Sequence, residues 1–95
     1  MDELKFWEIV GSAHDQSDGN MDEKCDLIGT ALSKLSKDDA RAFSVLFDAM
    51  MDHAYSWPLW GAAYVINGGC GDDTFSDFRA SLISRGRTAF ESALA

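Results

Sequence analysis

The residues best suited to chemistry cluster between Trp57 and Arg79 of this 95-residue chain. Gly68-Gly69-Cys70-Gly71 is a glycine-rich turn ahead of a helix start, where free N–H groups hold anions. Asp72 and Asp73 follow at once, and two carboxylates there would repel a phosphate. The same charges deny Cys70 the positive surroundings that an activated thiolate needs. Side by side on a helix start, the two Asp point in different directions and make no acid–base pair. Their simpler role is capping, with Asp72 or Asp73 accepting backbone N–H groups and favouring the helix dipole. In a ligand-binding reading, Trp57, Trp60 and Tyr64 form one wall of a pocket, and Asp72, Asp73, Asp77 and Arg79 are its polar groups. In the structural reading those aromatic residues are core, because such rings carry most of a small core's buried area.

Other chemistry fails on spacing. With Asp15 as the first position of a calcium loop, Asn20 stands where Gly is needed and Asp26 where Glu is usual, so Asp15–Asn20 reads as a polar turn. Zinc ligation by Cys25, Cys70, His14 and His53 matches no ligand spacing, and no second His stands one helical turn from His53. Neither a Gly-x-Ser-x-Gly elbow nor a Walker-type loop is present. With no catalytic set to assemble, the expectation is a non-enzyme without metal or cofactor.

The elements that would position these residues are helical. Asp2 caps a first helix whose apolar face is Phe6, Trp7, Val10 and Ala13, with His14 near its end. Met21, Cys25, Ile28, Leu32 and Leu35 make one stripe along a second helix, which puts Cys25 in the core. Ser36-Lys37-Asp38-Asp39 is a capping box with Asp in place of Glu. The third helix behind it carries Ala40, Phe43, Phe47, Met50 and Ala54, widened by Leu46 and Met51, and should be the most buried. Pro58 suits a first helical turn and pushes Trp57 to an extended conformation. Leu59, Ala62, Ala63 and Ile66 then face the fourth helix inward until Asn67-Gly68-Gly69 ends it. Phe75, Phe78, Leu82 and Ile83 line a fifth helix flanked by Asp77 and Arg79 and stopped by Gly86. Thr88 and Glu91 form a second capping-box pattern for a last helix bearing Phe90 and Leu94. The expected fold is all-α: a single compact domain, 1–95, of five or six short helices with a glycine elbow between the fourth and fifth.

Composition sets the class. With 46% hydrophobic and 12% aromatic residues the chain can build one core. No run of eighteen apolar residues occurs, so no membrane span is expected. The opening MDELKFWE is no secretory signal and two Cys make no disulfide framework, so the cytoplasm is the expected compartment. The net charge of −8 is uneven: residues 1–57 hold twelve acids and five bases, residues 58–95 four acids and three bases. Nucleic acid is therefore a poor partner and a basic protein surface the natural one.

The order Trp57-x-Leu59-Trp60-x-Ala62-Ala63, then Gly68 to Arg79, then Leu82 to Arg87 resembles the bacterial family called domain of unknown function 4240. Phe6-Trp7 and Phe90-Glu91-Ser92-Ala93-Leu94 extend the likeness over nearly the whole chain, in a short version of the family. Gly71 and Ser81 depart from it, where many members carry Ser and Trp. The resemblance implies no activity, since that family is uncharacterised.

Two functions are compatible with these residues. The first is an acidic helical module that docks on and blocks a basic protein, as immunity proteins and phage-type inhibitors of bacterial defence systems do. Asp15, Asp18, Asp22, Glu23 and Asp26 would form its docking surface, with an exposed Trp or Tyr as anchor. The alternative is a small-ligand-binding or catalytic domain centred on the Trp57–Asp73 elbow.

Overall fold

The computed structural model describes residues 1–95 apart from the side chain of Asn67. Its described residues form six helices: α1 (Glu3–Gln16), α2 (Met21–Ser33), α3 (Lys37–His53), α4 (Trp57–Asn67), α5 (Asp72–Ser84) and α6 (Arg87–Leu94). They make the all-α single body that the periodicity predicts, with a radius of gyration of 13.6 Å.

Caps explain most of the boundaries. Asp2 accepts from the backbone N of Lys5 at 2.8 Å, Asn20 from Glu23 at 2.9 Å and Ser36 from Asp39 at 3.1 Å. Each side chain satisfies a donor that a helix start leaves free. The fourth helix begins one residue earlier than Pro58 implies. Ser56 is its extended N-cap, bonded by the N–H of Leu59 at 3.3 Å, so Trp57 is already helical. Gly68 closes α4 in the left-handed conformation, φ 72°, which costs glycine nothing. The side chain of Asn67, also expected to help there, lies outside the described residues.

Two expected caps are not formed. Gly71 is the N-cap of α5 and makes no side-chain bond, while Asp72 and Asp73 sit inside the first turn. Their contribution is through the dipole alone. Gly86 likewise heads α6, so Thr88 is helical and Glu91 pairs with Arg87 (2.8 Å) instead of reaching back to a cap. In both cases a glycine one or two residues earlier already takes the non-helical backbone that an N-cap needs.

The core gathers Phe6, Trp7, Val10, Phe43, Met50, Ala54, Leu59, Ala63, Phe75, Ile83 and Phe90. All four apolar positions predicted for α1 are buried, and Phe6 packs edge-on to Trp7 at 5.0 Å between ring centroids. That makes α1, not α3, the most deeply buried helix; on α3 only Phe43 and Met50 are fully covered. The hub is α5, which packs against α1, α3, α4 and α6. Against these, α4 leans chiefly on α5.

On α2 the predicted stripe is displaced. Cys25 is exposed and Met21 largely so, while Lys24 is buried. Ile28 and Leu32 still reach the core, at the edge of the inward arc. The reason is tertiary: the Lys24 ammonium donates to Ser84 Oγ at 3.1 Å on the last turn of α5, which turns α2 by about one residue. The apolar stem of a lysine covers core surface as it does so.

Candidate functional site

The acidic stretch predicted as a docking surface lies where α1 passes into α2. Ser17 ends α1 and Asp18 takes a left-handed φ of 53°, a conformation Asp tolerates better than most. The Ser17 hydroxyl donates to the His14 carbonyl at 3.0 Å, which fixes the turn. Asp15 stands just before this turn, Asp22, Glu23 and Asp26 on the first turns of α2, and all five carboxylates including Asp18 are exposed. The ion pairs of the described residues lie elsewhere, on Met1 with Asp39 and on Arg87 with Glu3 and Glu91.

Between residues 15 and 26 the chain has one base, Lys24, and the structure removes it from this surface. At 2% exposure it faces Ser84 instead of solvent. Burial holds its ammonium below the ordinary lysine value, aided by the positive charge of Arg85 and opposed by Cys25. The five acids around the α1–α2 turn are thus exposed while the one base of their own segment is buried. Such a surface attracts a cationic one over a Debye length of about 10 Å.

The second predicted set is only partly assembled. Trp60 is half-buried, its indole N–H donating to the Cys70 carbonyl at 2.9 Å and its ring stacked on Phe75 at 4.8 Å. That pairing holds the end of the glycine-rich segment against α4. Trp57 stacks on Trp60 at 5.7 Å yet is 81% exposed, and Tyr64 also stands out in solvent. The expectation that Trp57 and Tyr64 belong to the core is therefore wrong. Leu59 and Ala63 fill the inward side of α4, and a narrow helix cannot turn every apolar face to one core.

Arg79 departs furthest from its expected place. It does not flank the fifth helix but lies 7% exposed on the Phe75–Arg79–Ile83 row. Its guanidinium donates to the carbonyls of Met51 (2.7 Å) and Phe75 (3.4 Å) and to Ser76 Oγ (3.1 Å). Its carbon lies 4.8 Å from the ring centroids of both Tyr55 and Phe75, at cation–π range. No carboxylate is among these partners; three oxygens and two ring faces compensate the buried charge. Arg79 is accordingly a bolt between α3 and α5, not a ligand group. Asp72, Asp73 and Asp77 remain exposed on α5.

Two surface cavities both lie away from this set. One of about 440 Å³ lies among Trp7, Met50, His53, Phe90, Glu3 and Glu91; the other, about 380 Å³, lies between α1 and α2. His53 is exposed. Among the described residues no three His, Cys, Asp or Glu side chains come close enough to hold a metal ion. No helix among them is long and apolar enough to cross a membrane.

Residues 1–95, the entire chain, match the family described as protein of unknown function (DUF4240). The chain belongs to the DUF4240 family. No curated protein and no solved structure matches it. Much of the stretch that carries the DUF4240 resemblance is packing: Leu59, Ala63, Phe75, Arg79, Ile83 and Gly86 are buried. Trp57 is the large exception.

Lys24 and Arg79 are the residues whose roles sequence reasoning missed, and a signal for both was present. Arg79 sits one helical turn from Phe75 and from Ile83, and Lys24 one turn from Ile28. A base centred on an apolar row is a candidate for burial with backbone or hydroxyl partners.

Proposed function

We propose that the chain is a non-enzymatic, acidic helical binding protein that docks on a basic protein surface and blocks it, as an immunity protein or a phage-type inhibitor does. The observation that carries this reading is the α1–α2 turn. Asp15, Asp18, Asp22, Glu23 and Asp26 are all exposed there, and Lys24, the one base among them, is turned to Ser84. Opposite fields speed encounter and fix orientation, and the rim acids would act mainly on the association rate.

The test is retrieval of a partner from the native host at low salt, followed by affinity measurement on the purified pair. Reversal of Asp22, Glu23 and Asp26 to Lys should weaken binding at least about tenfold, as should raising salt from roughly 50 to 300 mM. An affinity indifferent to both changes would remove the proposal.

A ligand site at the α4–α5 junction keeps one support, the exposure of Trp57 and of the carboxylates of Asp72 and Asp73. The commitment of Arg79 to backbone carbonyls weakens it, because the one cation assigned to that pocket is engaged elsewhere.

A further inference from the structure

The cavity of about 440 Å³ among α1, α3 and α6 has an ordinary size for a small-ligand site, roughly 300–1,000 Å³. Its floor is part of the core: Trp7, Met50 and Phe90 line it, each no more than 9% exposed. Trp7 and Phe90 lie 5.4 Å apart between ring centroids, and His53 stands 6.2 Å from Phe90. Side chains packed in this way hold the floor in place before any ligand arrives. Glu3 stands one helical turn before Trp7 on α1, and Glu91 follows Phe90 on α6. Two carboxylates therefore reach one apolar recess from different helices.

Glu3 and Glu91 are the acids of this lining, and among the described residues no lysine or arginine lines it. Arg87, one turn before Glu91, draws the two together from outside. Its Nε donates to Glu91 Oε1 at 2.8 Å, and a terminal nitrogen lies 3.9 Å from Glu3 Oε2. The second oxygen of each carboxylate is left to an outside donor. Two acids against one arginine keep the rim negative, in a chain of net charge −8. The other cavity sets Lys5 and Lys34 beside Glu8 and so selects no sign of charge.

We infer that the α1–α3–α6 cavity binds an organic cation, an ammonium group carried on an apolar, ring-sized body. The body rests on Trp7, Met50 and Phe90. The ammonium donates to the second oxygens of Glu3 and Glu91, which Arg87 positions. An anion is repelled there, and a neutral ligand gains nothing from the carboxylates. The site is separate from the acidic turn, because Glu3 and Asp15 stand near opposite ends of α1, about 18 Å apart along its axis. It does not rest on the basic-partner reading.

Titration of the complete chain with phenethylammonium, followed in amide correlation spectra, tests this. The expected result is a set of saturable shifts at the lining residues, with a dissociation constant on the order of 0.1–1 mM. Phenylethanol keeps the ring without the charge, and methylammonium keeps the charge without the ring. Each should bind at least about tenfold more weakly. Glu3→Gln combined with Glu91→Gln should weaken phenethylammonium by a similar factor, since these carboxylates are exposed and the fold does not depend on them. Ala49→Leu, at an exposed lining position, should abolish binding by filling the recess at unchanged charge. Both variants should keep the helical circular dichroism of the wild type; if either does not, the two truncated ligands on the wild type decide alone. A capped lysine amide in the same titration separates a protein side chain from a free amine as the source of the cation. Shifts centred on the α1–α2 turn, no saturation by about 10 mM, or an affinity that either folded variant leaves unchanged overturns the inference.

Discussion

Helices α1 and α4 both carry tryptophan and a run of apolar residues, yet they meet opposite fates. On α1 the apolar residues apart from exposed Leu4 keep to one side, and Phe6, Trp7, Val10 and Ala13 all reach the core. On α4 the apolar residues go all the way round, and the core takes only Leu59, Ala63 and part of Trp60. Burial is decided by how many directions a helix has a neighbour in, not by how apolar it is. Helix α1 packs against α2, α3 and α5, whereas α4 leans chiefly on α5. The excess on α4 is left bare.

The comparison breaks most plainly in stability. Phe6→Ala opens a cavity under 0% exposed surface and should cost about 3–5 kcal/mol in urea unfolding. Trp57→Ala should cost under about 0.5 kcal/mol although the ring removed is larger. Equal losses would mean that α4 is covered within the monomer and would undo the contrast.

Arg79 sharpens the contrast, since it ties the segment entering α4 to the body. Its bond to the Met51 carbonyl and its approach to Tyr55 span α3, α5 and the 54–56 connection. Arg79→Leu should destabilise by about 2 kcal/mol, because the Met51 carbonyl loses its buried donor. Hydrogen exchange should then quicken in α4 well before it does in α1. Uniform quickening across both helices would show the bolt to be global.

The smallest effect lies on the α1–α2 side and is set by pH. The buried Lys24 holds its proton less tightly than the ordinary value of 10.5, mainly through desolvation and also through Arg85. Between its folded value and 10.5 the unfolded chain therefore binds more protons than the native one, and stability from this group rises with pH. The penalty for the buried charge applies below that window and is relieved through it. Compared with Lys24→Met, the wild type should gain melting temperature as the pH rises toward 10.5. Parallel profiles would show that Lys24 titrates as a surface lysine.

The sequence alone determined the helical class, the stops at Gly68 and Gly86, the caps at Asp2 and Ser36 and the inward face of α1. Each depends on neighbours within about four residues, where side-chain spacing and cap chemistry suffice. It also marked the acids of the α1–α2 turn and the DUF4240 likeness. Tertiary structure alone decided that Lys24 points in while Cys25 points out, since only the fold brings Ser84 to within 3.1 Å of the ammonium. It decided that Arg79 bonds the carbonyl of Met51, 28 residues away in sequence, instead of facing solvent or a ligand. It decided too that Trp57 stays bare, because a helix's own residues state how apolar it is and its neighbours state how much of it they can cover.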